Sequence, residues 1–340
     1  MGSVKDLTVL KSPRETMPGV GLFHFSDRYS VFDWGEMPDH IPGKGAALCL
    51  MGAYFFEKLT QLGLRTHYLG LAEGGEVKPL FELSEPSTLM RVSLVRVIHP
   101  PVDKGTYDYG VYRWNERDFL IPYEFIYRNS LPAGSSFRKR WERGELALAD
   151  YGLTRLPNPE ERLSQSILDV STKLEEQDRY LSWKEVEEIG ILTPAEITAA
   201  REILGEVNRL ITQETSRLHI ANEDGKIELA LGPERELILV DVLGTPDECR
   251  FTFQGIHLSK EATREYYRKT PWFRAVQEAK TKVSLGWKGL VKEKPEPLPP
   301  RLLQAVSWVY CRLAMDITGR EWFAGVPPLE KIVDELSDFL

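Results

Sequence analysis

The stretch Gly225–Arg250 reads GKIELALGPERELILVDVLGTPDECR. Ile227, Leu229 and Leu231 alternate with Lys226, Glu228 and Ala230, the period-two signal of a half-buried strand. Gly232-Pro233-Glu234-Arg235 reads as a turn, because Gly and Pro supply backbone angles that strands avoid. Glu236–Val242 is a second β-rich run. A four-residue loop pairs Leu231 with Glu236, which sets Lys226 opposite Asp241 and Glu228 opposite Leu239. Side chains directly opposite lie roughly 5 Å apart and diagonal ones roughly 7–8 Å. Lys226, Glu228 and Asp241 then share one face, with Ile227, Leu229, Ile238 and Val240 on the other. One lysine beside two carboxylates suits a phosphate-bound Mg²⁺, which takes one or two protein carboxylates plus phosphate oxygens. Taken alone, the stretch favours the plainer alternative of a solvated hairpin face with a cross-strand salt bridge.

The chain has 340 residues, enough for two domains. Its 42% hydrophobic and 28% charged residues are those of a soluble globular protein. A net charge of −8 argues against a broad nucleic-acid-binding surface. Cys49, Cys249 and Cys311 are scattered, without a CxxC pair or disulfide framework, which fits a reducing cytoplasm. No long apolar run marks a signal peptide or membrane span. The six histidines lack metal-ligand spacing, and neither HExxH, GxSxG nor a complete Walker A loop occurs.

Outward from the hairpin, Gly2–Leu10 reads as a turn into a strand and Gly19–Phe25 as a second strand. Ala46–Leu62 reads as a helix ending at Gly63. Thr88–Ile98 and Ile121–Tyr127 read as strands, joined by a polar, aromatic loop or irregular hairpin over Asp103–Arg117. Arg128 then leaves the second strand into a Gly/Ser loop ending at Ser136, where guanidinium, hydroxyl and backbone N–H groups can converge on a phosphate. A surface turn explains that loop equally well. The basic segment Phe137–Gly144 reads as a solvated helix face, and Ser171–Asp178 as a polar loop. Thr193-Pro194-Ala195-Glu196 is a helix start, and that helix extends to about Leu218 with a buried stripe of Ile197, Ala200, Ile203, Leu204, Val207 and Ile211. Ser259–Lys280 reads as a charged helix, Lys292–Arg301 as a proline-rich linker, and Arg301–Thr318 and Leu329–Leu340 as two more helices.

In this order the pieces resemble the phosphoribosylaminoimidazole-succinocarboxamide synthase (SAICAR synthetase) family. Gly2-Ser3-Val4-Lys5-Asp6-Leu7 is similar to its opening glycine loop. Ser26-Asp27-Arg28 with Ser30, Phe32 and Asp33 resembles SDRxSxFD, and Ile41–Gly45 matches IPGKG. Pro122-Tyr123-Glu124 with Arg128 and Ala133-Gly134-Ser135 resembles PxExxxR…AGS. Ser171-Thr172-Lys173 with Glu175 and Asp178 resembles STKxExxD. Asp224, Lys226 and Glu228 resemble DxKxE, and Asp241 with Thr245-Pro246-Asp247 and Arg250 resembles the D…[ST]PDxxR ending. The matches cover about Gly2–Lys280.

The resemblance implies an α+β fold in two lobes: a small antiparallel nucleotide-covering sheet over 1–96 and a larger ATP-grasp-like lobe over 97–280, with 281–340 a helical extension. It implies an ATP- and Mg²⁺-dependent ligase joining the carboxylate of carboxyaminoimidazole ribotide to L-aspartate through an acyl phosphate, a small-molecule enzyme of the cytoplasm with no nucleic-acid or membrane partner and a possible homo-oligomer. Gly2, Val4, Lys5 and Lys226 fall to ATP, and Glu228 and Asp241 to Mg²⁺. Arg128, Ser135 and Arg250 fall to the ribotide phosphate, with Ser26, Asp27, Arg28 and Lys44 also on the substrate side. Asp224, Lys226, Lys173 and Asp178 fall to the reacting groups. Ser3 stands where the family usually has lysine, Gln177 where histidine is common, and Val242 where glutamate often follows the metal aspartate. The Arg128–Ser135 segment is one residue longer than usual. These departures leave open a paralogous ligase on another carboxylate or amine, or a nucleotide-binding regulatory protein. The tail holds Trp308, Val309, Tyr310, Leu313, Met315, Trp322 and Phe323, too apolar for a disordered extension, and is expected to pack on the same chain.

Overall fold

A computed structural model describes residues 4–14, 17–112, 116–159, 161–283 and 286–339; Gly2 and Ser3 lie outside them. The class is α+β. Strands β1 (Lys5–Lys11), β2 (Gly19–Phe25), β3 (Tyr68–Glu73), β4 (Glu76–Lys78) and β5 (Leu89–Leu94) form one antiparallel sheet in the order β1-β2-β5-β3-β4. Phe23 and Phe25 of β2 face inward, as alternation requires. Helix α1 (Lys44–Gln61) is apolar nearly all round, and 14 of its residues, Lys44 to Phe56 and Leu59, are buried, as expected of a helix covered on several sides.

A short hairpin, β6 (Val102–Asp103) and β7 (Thr106–Tyr107), precedes the larger sheet. That sheet comprises β8 (Phe119–Ser130), β9 (Arg162–Thr172), β10 (Tyr180–Leu181), β11 (Ala221–Leu231), β12 (Leu237–Val240), β13 (Cys249–Phe253) and β14 (Ile256–His257). Its order is β10-β9-β8-β11-β13-β14, with β12 also on β11. Strand β11 is therefore central. Its first half pairs with β13 and its second half with β12. Between those partners the chain from Asp241 to Asp247 leaves the sheet.

The hairpin register differs from the expected one. The Gly232 N–H donates to the Glu236 carbonyl (2.8 Å) and the Arg235 N–H to the Gly232 carbonyl (3.0 Å). Arg235 adopts a φ of 62°, so three residues cross the turn instead of four. Glu228 then stands opposite Val240, and Leu229 opposite Leu239. A one-residue slip exchanges the faces of a strand, so Ile238 and Val240 join Glu228 while Leu237 and Leu239 join Leu229. Lys226 does not pair with Asp241. Nor is this a solvated face, since Glu228 is buried.

Helices α2 (Ser136–Glu142), α3 (Trp183–Ile189), α4 (Pro194–Ser216), α5 (Glu261–Arg268), α6 (Pro271–Lys282), α7 (Pro300–Thr318) and α8 (Leu329–Ser337) complete the chain. Both halves of the Thr193/Glu196 capping box at α4 are formed. The expected helix over Ser259–Lys280 is two helices, because Thr270 caps a new start with Pro271 at its first position. Ser171 and Thr172 end an 11-residue strand, β9, that the polar sequence did not signal. Arg138 and Arg140 of α2 are buried, so this helix does not present all its basic residues to solvent.

Helix α7 packs against α1, α5 and α8, and Leu302, Val306, Val309, Leu313 and Met315 are buried in the main core. The Ser307 hydroxyl donates to the Pro42 carbonyl (2.6 Å), and the Leu298 N–H donates to Asp39 (2.8 Å). Deleting 281–340 uncovers the apolar side of α1 that faces α7, a patch of the kind that drives aggregation. The truncated chain is expected to be insoluble or to melt well below the full chain in calorimetry. A soluble monomer of equal heat resistance would show the tail to be a separate module.

Candidate active site

Strand pairing sets Glu124 of β8 directly opposite Glu228 of β11. Like charges in that position repel, and lysines from three directions offset them. Lys226, two residues along β11, donates to Glu124 (2.6 Å) and lies 3.3 Å from Glu248. Lys173, just past β9, donates to Glu228 and stands 3.9 Å from Glu124. Lys5, opening β1, donates to Asp241. Asp241 has left β12 with a φ of 65°, a left-handed conformation that aspartate tolerates better than most residues; this turn, not strand alternation, brings it to the lysines. Burial and the neighbouring Asp241 push the Glu228 carboxyl above its usual range, against the pull of Lys173 and Lys226. Burial works the same way on Asp241, but Lys5, with Lys173 and Lys226, outweighs it and holds that carboxyl low. His67 Nε2 is 3.0 Å from the Asp241 carbonyl; burial lowers this imidazole to about 4, so at neutral pH it is uncharged and donates that hydrogen bond.

Two cavities open on this cluster. One, about 290 Å³, is lined by Leu7, Val9, Phe23, Leu94, Val95, Leu120 and Val240, with Glu228 and Asp241 among them. Its apolar wall includes Val240 because of the three-residue turn. The other, about 220 Å³, is lined by Arg128, Arg250, Lys260 and Arg264 with Glu124, Ser136, Asp224 and Lys226. An open cavity of about 710 Å³ shares Ser136 and Tyr180 with it and holds Lys139, Arg140, Arg143 and Glu175–Arg179.

Arg128 is a buried cation with several partners. It bonds Asp169 (3.2 Å) and Ser136 (3.1 Å) and lies 3.6 Å from Asp224. Asp169 is itself shared with Arg140, whose guanidinium stacks 3.8 Å from the Tyr180 ring centre. Arg250 pairs with Asp224 (2.8 Å). Two arginines thus converge on Asp224, across the β8–β11–β13 pairing.

The structure brings together Lys5, Lys173, Lys226, Glu228 and Asp241, and separately Arg128, Arg250 and Asp224. Asp178 is exposed and lines the open cavity. Three expectations change. Lys44 is wholly buried and paired with Asp247 (2.8 Å), so it is not a cleft group. Ser135 is buried as the N-cap of α2, accepting from the Arg138 N–H, and Ser136 stands at Arg128 instead. Ser26, Asp27 and Arg28 bind their own chain. The Ser26 hydroxyl donates to the Val4 carbonyl (2.8 Å), Asp27 accepts from the Gly43 and Gly45 N–H groups (3.2 and 2.9 Å), and Arg28 pairs with Asp6 (2.8 Å). Gly2 lies outside the described residues. Glu124, Asp169, Glu248, Lys260 and Arg264 were not anticipated. Glu124 stood inside a quoted motif without a role, whereas Asp169 had no signal because its strand went unread.

The SAICAR synthetase family profile matches residues 11–283. A protein of Archaeoglobus fulgidus, whose name places it provisionally in that family, is 50% identical over the full length of both chains. The phosphoribosylaminoimidazole-succinocarboxamide synthase of Thermoplasma acidophilum is 32% identical over 88% of this chain and 94% of its own. In fold, the SAICAR synthase of Saccharomyces cerevisiae, solved with SAICAR, superposes with a TM-score of 0.65 at 20% identity, over 95% of this chain and 94% of that one. A SAICAR synthetase solved with ADP gives 0.56 at 20% identity, over 87% and 99%.

Asp169 is the shared counter-ion of two buried guanidiniums. Asp169→Ala leaves both without it, and removing one partner from such a network costs about 3–5 kcal/mol. Urea unfolding at neutral pH is expected to read a loss of that order. A loss below about 1 kcal/mol, the worth of a surface pair, would show that water already solvates these arginines.

Proposed function

We propose a function from the premise that the chain belongs to the SAICAR synthetase family. It is an ATP-dependent carbon–nitrogen ligase of purine biosynthesis, joining the carboxylate of carboxyaminoimidazole ribotide to L-aspartate. One observation carries this reading: an apolar cavity and an arginine-lined cavity meet at a lysine–carboxylate cluster. An adenine ring fits the first, and its phosphates would then reach Lys5, Lys173 and Lys226. A ribotide phosphate fits the second, against Arg128, Arg250 and Ser136.

The cluster suits a phosphate-bound Mg²⁺. Glu228 and Asp241 are two carboxylates whose described ion-pair partners are mobile lysine ammoniums. A magnesium ion needs only one or two protein carboxylates when phosphate and water supply its other oxygens. When bound, the ion would neutralise phosphate charge. The protein's own contribution is position and charge. Attack by the ribotide carboxylate on the γ-phosphorus releases ADP and gives an acyl phosphate, from which the aspartate amine displaces phosphate. Lys5, Lys173 and Lys226 stabilise the negative oxygens throughout. No side-chain nucleophile is required. Product formation should need ATP, ribotide and aspartate together. ADP release independent of both acceptors would overturn the assignment.

The raised Glu228 carboxyl gives a pH test. Between the ordinary glutamate range and its raised value, the folded state holds a proton that the unfolded state releases. Stability therefore falls as pH rises through that window, and a bound cation removes the penalty. Mg²⁺ with ADP should raise the melting temperature more near pH 8 than near pH 6. Glu228→Gln should flatten that difference; an unchanged pH dependence in the variant would remove Glu228 from the cation site.

Arg250→Ala removes a charge-assisted contact in the basic cavity. Its effect on ribotide affinity should be about 1.5–3 kcal/mol, with ADP affinity little changed. Calorimetry showing ADP binding lost and ribotide binding kept would exchange the two sites.

A further inference from the structure

We infer that Tyr310, in the C-terminal extension, is a positioning residue for the ribotide cavity, acting through Asp247. The inference rests on the functional reading above and adds a residue beyond the span of the family profile, which ends at 283.

The Tyr310 hydroxyl donates to one oxygen of Asp247 (2.8 Å), and the Lys44 ammonium pairs with the other (2.8 Å). The same ammonium lies 5.5 Å from the Tyr310 ring centre. Tyr310 and Lys44 are fully buried. Burial alone would favour the protonated acid at Asp247, but Lys44, Lys260 and the Tyr310 hydroxyl together outweigh it and hold the carboxyl well below its usual range. Asp247 is thus a buried anion held from two helices, by an ion pair to Lys44 of α1 and a hydrogen bond from Tyr310 of α7. It sits in the turn that leaves β12 and returns to β13. Pro246, Asp247 and Glu248 of that turn and Arg250 of β13 line the basic cavity, and none of them lines the apolar one. Within the turn, the N–H groups of Glu248 and Cys249 donate to the Thr245 carbonyl, so orienting Asp247 orients its neighbours. Glu248 meets Lys226, and Arg250 meets Asp224. Without the Tyr310 hydroxyl, one oxygen of a buried carboxylate loses a charge-assisted partner, and the turn relaxes toward another.

The prediction separates the two substrates. Tyr310→Phe should raise the ribotide KM roughly five- to tenfold, leaving the ATP KM unchanged. Ser307→Ala, which removes a bond from α7 to Pro42 away from the turn, is the control and should leave both constants alone. Calorimetry with inorganic phosphate and with ADP reads the same split without turnover. Phosphate binding should weaken severalfold in Tyr310→Phe and ADP binding should hold, so failure of the ligase reading would not hide the outcome. Asp247→Asn keeps an acceptor for Tyr310 but drops the charge that Lys44 meets; it should give the same ribotide-selective loss. Equal changes for both ligands, no change in a folded Tyr310→Phe, or an equal effect of Ser307→Ala would overturn the proposal. So would failure of both Tyr310→Phe and Asp247→Asn to fold, since the contact would then maintain the core and not the cavity.

Discussion

Two glutamates facing each other across neighbouring strands set the terms for this molecule. Glu124 and Glu228 stand opposite in the middle of the larger sheet, with Asp241 close enough to raise Glu228 further. Buried carboxylates of this density are costly unless cations meet them. The lysines that do so come from outside the two glutamate strands as well as from within: Lys226 from β11, Lys173 from the end of β9 and Lys5 from the other sheet. Folding the first sheet onto the second is thereby tied to charge neutralisation. An arrangement that needs cations to fold is also one that polyphosphate can enter. On the proposed function, the lysine ammoniums would turn toward phosphate oxygens while a divalent ion took their place on the carboxylates.

The geometry depends on β11 having two partners on one side. Where β12 ends and β13 has not yet begun, the segment from Asp241 to Asp247 is free of the ladder. It carries Asp241 to the lysine cluster at one end and Glu248 to the arginine cavity at the other, where Arg250 follows from β13. A continuous strand would alternate side chains strictly onto opposite faces. The split lets groups from the two ends of one short segment face one cleft.

Much of the fold was legible because it rests on local signals. The Thr193–Glu196 capping box, the apolar run of α1 and the alternation around Lys226 and Glu228 each follow from spacing alone. The exact register was not legible, because Arg235 in a left-handed conformation shortens the turn and nothing in Gly232-Pro233-Glu234-Arg235 demands it. The consequence was large, since one residue of slip moved Val240 from core to cleft. Strand β9 was missed because its first half is polar and exposed while only its second half is buried; Asp169 was lost with it. The family resemblance supplied the lysine and arginine set but misplaced Lys44 and Ser135. In both cases the side chain looks inward, Lys44 to the buried Asp247 and Ser135 to the first turn of α2.

Those two misplacements have different physical meanings. Ser135 is held by its cap: its hydroxyl accepts from the Arg138 N–H, and Ser136 takes the outward position beside Arg128 and Tyr180. Lys44 is displaced by a partner. Its ammonium is shut off from the surface, and Asp247 and the Tyr310 ring lie beside it. A buried lysine can persist there only because an anion is held beside it, and that anion is held in turn by a helix from the last forty or so residues of the chain. The tail is therefore bound to the body by more than apolar area. Its tyrosine joins a charge pair whose other members belong to the first turn of α1 and to the turn that leads into β13, so core packing and cavity shape share one set of bonds.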